Sequence, residues 1–488
     1  MRVLLIKPSN LSDHIQPSLG LGYLAAQIRA DHEVKIVDCI KEHLPGPQLL
    51  PVLREFRPQV VGSQCYSMDL PLLKPVLETV KGFDSRITTI VGGTHATNAP
   101  QHTMRYFGDQ LDFVFCGEGE IGFPIFLEEV GRGDGSNFSR APGLGWRDQG
   151  TLRLNPQAKV QELDTLGMPA WDLIMPESYP FSPHGVVCKN FPSAPIMSTR
   201  GCPYKCTFCA SAGTKLRTRS VDLVLQEVRL LQRRHGIKEF HMVDDNFTLD
   251  MDYAKHFLRR LIDEKINATW ATPNGVRLDR LDDEILELMK EAGFYSICVG
   301  IESGSDRIRI KMKKGSTKDK IRKDLAMVKR VGGIDVTGFF ILGFPTETEQ
   351  DIRETLAFSR ELPLQRAAFH SFIPLPGTEI WREMETTGEL ERVDWEKYFF
   401  WAGAYVPQGL TRELLRKLHR EAFVKFYLRP RIIWQNLKWL LRPRVLWYGM
   451  KYLWRRVRPE RPPTAGPPGA GRAGGAISAQ TVGAGSAA

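Results

Sequence analysis

The sequence lacks any uncharged apolar run of the roughly 18 residues that a membrane-spanning helix needs. Its first residues, MRVLLIKPSN, turn polar too early for the apolar core of a signal peptide. Both absences predict a cytoplasmic protein. Cysteine is scarce, at 8 of 488 residues, and Cys39, Cys65, Cys116, Cys188 and Cys298 stand singly in apolar or turn contexts. Such spacing excludes a disulfide scaffold, and isolated thiols in a reducing compartment read as small buried hydrophobes. A net positive balance is lacking outside one segment. Arg412 to Arg461 carries 15 Lys or Arg against 3 Glu, whereas the whole chain has a formal charge of only +10.

What is present is globular: 42% hydrophobic, 25% charged, and too long for one ordinary core. Short apolar runs alternate with helical spacing over residues 1–140: RVLLI, EVKIVDC, VVGSQ, ITTIVGG and FVFCGEGE, each ending in small or acidic residues. The pattern predicts an α/β fold with a doubly wound parallel sheet, whose ligands bind beyond the carboxyl ends of the strands. Periodicity fades over 141–192, which reads as a linker. A second alternating series occupies 193–393 and predicts a partial (β/α)6 barrel, with Gly236 and Gly293 where helices should end. Residues 394–460 read as helical, basic and aromatic, and 461–488 as a disordered Pro/Gly/Ala tail.

The remaining three cysteines lie in TRGCPYKCTFCA as Cys202, Cys206 and Cys209, directly after the first strand of the second series. Structural zinc needs four closed ligands, and no second CxxC or HxxxH completes a set around this trio. A 4Fe-4S cluster on three thiolates keeps one iron open for another ligand. The CxxxCxxC spacing at this place resembles the radical SAM superfamily, in which the open iron binds S-adenosylmethionine. A nucleic-acid-binding protein with a zinc loop is the alternative, and it predicts zinc without iron.

The resemblance implies roles for further residues. Phe208 takes the place of the aromatic near the adenine. Asp244 and Asp245, in VDDNF, take that of the motif engaging the methionyl ammonium, and Glu302, in GIES, that of a contact to the ribose or amino-acid end. Gly343, in GFFILGFPTET, belongs to the motif that backs the adenine. Read without the resemblance, Phe208 is a buried hydrophobe and each carboxylate a solvated loop or helix-cap residue.

With a doubly wound domain in front, residues 1 to about 400 resemble the cobalamin-dependent radical SAM enzymes. In such a domain QPSLGLGYLAA, VGGTHAT and CGEGE fall at the edge that cradles the corrin, with Ser63, Gly92, Gly93, Gly117 and Gly119 as candidate contacts. These glycines would let backbone approach a bulky ligand. The DxHxxG motif that donates an axial histidine elsewhere is absent, which implies cobalamin bound without histidine on cobalt. His95 reads as a loop histidine bonded to backbone. A cover domain without cofactor is the alternative.

The resemblance implies methyl transfer to an unactivated carbon or phosphinate phosphorus, with an oxidative cyclase or rearranging enzyme as the other reading. It also implies a small-molecule or lipid substrate and an external electron donor such as flavodoxin or ferredoxin. Residues 423–462 interleave Arg and Lys with Trp434, Trp439, Trp447 and Trp454. The segment reads first as a wrap around the barrel and second as a peripheral membrane contact. Nucleic acid is not expected as a partner.

Overall fold

Five of the six residues of the first strand, β1 (Arg2–Lys7), are buried. A strand apolar on both faces belongs at the centre of a parallel sheet. In the computed structural model, which describes residues 1–9, 15–133, 137–180, 188–399 and 403–440, β1 lies between β2 (Glu33–Asp38) and β3 (Val60–Gln64). Parallel pairing continues through β4 (Thr88–Gly92) to β5 (Phe113–Phe115). The order β2-β1-β3-β4-β5 is doubly wound, with its switch point between β1 and β3. Alternate side chains feed two cores, Leu4, Val61 and Val91 on one face and Leu5, Val60 and Ile90 on the other.

The linker reading needs correction at its start. β6 (Leu144–Asp148) and β7 (Thr151–Leu154) form a hairpin that adds antiparallel strands to the edge of the first sheet. Gln149 and Gly150 both have positive φ, 48° and 83°, which is the tight turn whose twist matches the flanking strands. Strands this short carry too little periodicity to be seen in the sequence.

The second series forms one parallel sheet ordered β8-β11-β12-β13-β14-β15. Its strands are β8 (Ser193–Ile196), β11 (Glu239–Met242), β12 (Thr269–Val276), β13 (Phe294–Glu302), β14 (Asp335–Leu342) and β15 (Arg366–Ser371). A small ribbon of β9 (Thr199–Arg200) and β10 (Arg217–Thr218) stands apart from it. Among the described residues β8 and β15 do not pair, so the barrel is open.

Helices return each strand to the next. Ser220 caps helix Val221–His235 by accepting from Leu223 N, and Gly236 ends it in the left-handed region. Gly293 lies one residue past the cap of helix Asp283–Glu291. Trp270 is fully buried and stacked on Phe240 and Phe294 at 4.8 and 5.7 Å. Its truncation to Ala would cost about 3–5 kcal/mol.

Residues Met1–Gln435 form one compact unit. Helix Arg412–Tyr427 buries Leu415, Leu418, Ala422 and Phe426, the last of these on Phe369 of β15, so the start of the basic segment wraps the half-barrel. Helix Pro430–Leu440 follows. The described residues of the region read as helical from 394 run mainly as loop and short turns up to that first helix. Its part beyond 440, with Trp447 and Trp454, and the Pro/Gly/Ala tail lie outside the described residues.

Candidate functional site

The cysteine loop leaves β9 through Gly201, whose φ of 100° suits glycine, and a Cβ there would lie 2.2 Å from the Lys215 carbonyl. Backbone bonds close the loop on itself: Gly213 N donates to Tyr204 O at 2.8 Å and Thr214 N to Cys202 O at 3.0 Å. Thr207 ties it to the barrel, donating to Met312 O and accepting from Ile380 N. Cys202, Cys206 and Cys209 are half-buried free thiols. Burial raises Cys202, and it raises Cys209 to about 11, with Cys206 and Asp245 adding to both shifts. Three thiolates gathered on one preformed loop would repel one another unless a cation lay between them, and an iron–sulfur cluster fits that donor set.

The acidic pair after β11 does two different things. Asp245 accepts from Gly201 N at 2.9 Å and Ser211 Oγ at 2.6 Å, fastening the cysteine loop. Asp244 is buried and accepts from Ser198 N, Thr199 N and Ser198 Oγ; burial raises its carboxyl to about 6. Both carboxylates are therefore engaged by the chain that leads into the cysteines. Glu302 closes β13 with a φ of 66° and pairs with Lys314 Nζ at 2.8 Å. The N–H of Gly343 donates to Glu347 Oε2 at 2.5 Å and that of Phe344 at 3.1 Å. Phe344 meets Phe208 edge to face at 6.5 Å.

At the edge of the first sheet the glycines pack against this chain's own atoms. A Cβ at Gly93 would lie 2.9 Å from Cys65 N, at Gly117 2.8 Å from Gln157 Oε1 and at Gly119 2.9 Å from Leu24 Cδ2, while Gly92 faces Phe115 at ordinary contact. Ser63 is buried, its hydroxyl donating to backbone carbonyls of Ile6 and Gln64. His95 bonds side chains rather than backbone: Ser67 Oγ at 2.8 Å and His102 at 3.0 Å. Burial, with His102 beside it, pushes His95 down to about 4. Tyr66, on the loop after β3, is 49% exposed at the carboxyl edge of the sheet.

The two carboxyl edges face each other. Met68, from the loop after β3, joins Phe208 and Phe344 in one apolar cluster. Arg217 bonds both oxygens of Glu118, and Arg200, two residues before Cys202, reaches Glu120 at 2.7 Å. The CGEGE loop and the cysteine loop are thus tied by guanidinium–carboxylate pairs. Trp395 stacks near His102 at 5.7 Å and on Tyr398 at 5.0 Å, placing the start of the 394–405 segment between the two layers.

Sequence reasoning missed the cations of this site. Arg277 lies 3.8 Å over the Tyr204 ring, and Lys314 is coupled electrostatically to Glu302 and Cys206. Nothing in the spacing of these residues distinguishes them from other surface Lys and Arg. Glu347 was missed too, although it lies inside the quoted GFPTET motif. It is buried, and burial raises its carboxyl to about 8.

The pattern of the radical SAM superfamily matches residues 196–359, and that of the B12 binding domain matches residues 12–127. An uncharacterized methyltransferase of Pyrococcus horikoshii is 30% identical over 443 residues, covering 89% of this chain and 94% of that protein. The cytidylyl-2-hydroxyethylphosphonate methyltransferase of Streptomyces wedmorensis is 32% identical over 443 residues, covering 78% and 81%. The anaerobic magnesium-protoporphyrin IX monomethyl ester cyclase of Rubrivivax gelatinosus is 24% identical over 436 residues, covering 86% and 76%. Among solved structures, the radical S-adenosylmethionine methyltransferase TsrM of Kitasatospora setae, with cobalamin and a [4Fe-4S] cluster bound, has a TM-score of 0.65 at 18% identity. That match covers 86% of this chain and 81% of TsrM.

Proposed function

Because this chain belongs to the cobalamin-dependent radical SAM enzymes, whose cofactors are a 4Fe-4S cluster, S-adenosylmethionine and cobalamin, we propose that it methylates an unactivated carbon of a small-molecule or lipid substrate. The observation that carries this reading is the facing pair of carboxyl edges. A methyl group held on one sheet and a radical generated on the other can meet at one substrate only if those edges converge.

When bound, the cluster and S-adenosylmethionine supply the radical, and cobalamin carries the methyl group. The residues' own part is positioning. Cys202, Cys206 and Cys209 would hold the cluster on a loop kept in place by Asp245. Glu347 orients the Gly343 and Phe344 amides, and Phe208, Phe344 and Met68 form an apolar wall that excludes water. Arg277 and Lys314 bring positive charge to a site of thiolates and carboxylates. Ser63 and Gly92, Gly93, Gly117 and Gly119 shape the loops that would cradle the corrin, through contacts to their own chain.

An oxidative cyclization is the second reading, favoured by the cyclase relative. Flavodoxin or ferredoxin is the expected reductant. Among the described residues no helix is long and apolar enough to cross a membrane. Exposed Leu428, Ile433 and Trp434 beside Arg429 and Arg431 support peripheral contact with anionic lipid.

The test is anaerobic reconstitution with iron, sulfide and hydroxocobalamin, then incubation with reductant and S-adenosylmethionine labelled in its methyl group. Retained iron and cobalt, with label appearing on cobalamin, support the methyltransferase. Both cofactors retained without label on cobalamin favour the cyclase, and iron without cobalt removes the mechanism for methyl transfer.

A further inference from the structure

At the opposite end of the half-barrel from the cysteine loop, three side chains of ligating type converge in the dry interior. They are Cys188, on the segment leading into β8, and Glu239 and His241, the first and third residues of β11. All three are buried, and one ligand atom from each lies within 4.8 Å of the other two. Glu239 Oε1 is 3.0 Å from His241 Nε2, and Cys188 Sγ is 3.9 Å from the same nitrogen. Ligands of a tetrahedral zinc, bound at 2.0–2.3 Å, stand about 3.3–3.7 Å apart, so the two contacts to His241 need adjust by a few tenths of an ångström and the third pair by at most about 1 Å to meet on one ion.

A second observation concerns charge. Glu239 is wholly buried, and its ion partner among the described residues is His241, with no Lys or Arg within ion-pair distance. Lys189, which donates its backbone N–H to Glu239 Oε2, places its ammonium over the Tyr295 ring, 5.6 Å from the centroid. A buried carboxylate normally has a cationic partner or a metal. A cation bound beside Oε1 would supply that partner.

The rest of the carboxylate is already oriented as a ligand. Oε2 accepts from Lys189 N, Asn190 N and Thr269 Oγ1, which leaves Oε1 toward His241 and Tyr295 OH. Hydrogen bonds of this kind hold a metal-binding carboxylate in place. Tyr295 OH donates to Oε1 at 2.8 Å and so helps to orient the carboxylate, leaving a fourth position on an ion to water.

We propose that Cys188, Glu239 and His241 bind a zinc ion that fastens the segment preceding β8 to the start of β11. Thiolate with imidazole selects zinc over the hard cations magnesium and calcium. The site is distinct from the cluster: Glu239 pairs in register with Ser193 and His241 with Pro195, whereas Cys202 follows the carboxyl end of β8.

The full chain is reconstituted with iron and sulfide so that the cluster cysteines are occupied, washed with chelator, and analysed for zinc by mass spectrometry. Expected is ~1 zinc per chain, unchanged by Cys202→Ala and reduced roughly tenfold or more by Cys188→Ser and by His241→Gln. Should those variants fail to fold, cobalt(II) added to zinc-free wild-type chain before any cobalamin is the deciding measurement. A thiolate-to-cobalt absorption band that persists in Cys202→Ala supports the site. Zinc absent after incubation with zinc sulfate, or zinc lost with Cys202→Ala, overturns the proposal.

Discussion

The pair joining Glu118 to Arg217 offers the sharpest test of how the two layers are held. Arg217 is 9% and Glu118 18% exposed in their side chains, and Glu118 also accepts from Val160 N at 3.0 Å and lies 3.8 Å from Arg200. Replacing Glu118 by Gln keeps the shape and removes the charge, leaving Arg217 short of its counterion in a mostly dry place. Removing one member of a fully buried pair costs about 3–5 kcal/mol, and the residual exposure here scales that to about 2–4 kcal/mol. Arg200 keeps Glu120 and adds little to the loss. Urea unfolding followed by tryptophan fluorescence reads the change. A cycle with Arg217→Met isolates the pair, with an expected coupling of about 1–3 kcal/mol.

The pH dependence carries a sign. Burial alone would raise Glu118, but the hydrogen bonds from Arg217 and the charge of Arg200 outweigh it, and the carboxyl sits below its ordinary 4.5. Its contribution is therefore full above that value and is lost as pH falls through the lower folded-state pKa. Wild type and Glu118→Gln should differ at pH 7 and converge under acid conditions. A variant within about 0.5 kcal/mol of wild type at pH 7, or a vanishing coupling, would refute the claim that this pair joins the layers.

Alanine at Cys202, Cys206 or Cys209 should abolish iron retention and reductive cleavage of S-adenosylmethionine, as measured by iron analysis and by 5′-deoxyadenosine release, with circular dichroism unchanged. Asp245→Ala removes two acceptors of the cysteine loop, at about 1–3 kcal/mol in loop order, and should lower cluster occupancy after reconstitution without changing the far-UV spectrum. Asp244, raised to about 6 from 3.8 by burial, binds its proton more tightly in the folded state. Stability from this group thus falls as pH rises from 4 to 6, by up to about 3 kcal/mol, and Asp244→Asn should flatten that slope in a urea series across the interval. Exchanging Arg429 and Arg431 for Gln should weaken copelleting with anionic vesicles; failure of the intact chain to copellet disposes of the lipid contact.

Much of this protein was legible in the order of its residues, because strands buried on both faces and capped helices leave strong local periodicities. The doubly wound sheet, the second parallel series and the cysteine trio all rest on such signals: β1 and β13 are apolar runs, and Ser220 and Gly236 bracket a helix in the sequence itself. The hairpin of β6 and β7 was not legible, since its strands take their stability from the sheet edge they join rather than from their own pattern. The glycines of the first sheet were legible as tight places, but which atoms crowd them was not. Cys65, Gln157 and Leu24 are far from them in sequence or on other elements.

Sequence alone determined the fold class, the spacing of the cysteine trio and the resemblance to the family, all properties of local pattern. Only the tertiary structure decided that the two carboxyl edges face each other, that Asp245 holds the cysteine loop while Asp244 holds Ser198 and Thr199 ahead of it, and that Arg200 and Arg217 reach Glu120 and Glu118. It alone gathered Cys188, Glu239 and His241 into one dry cluster. The physical reason is common to these cases. A contact across tens of residues depends on how layers pack and on which charges lose their water, and neither leaves a periodic mark along the chain.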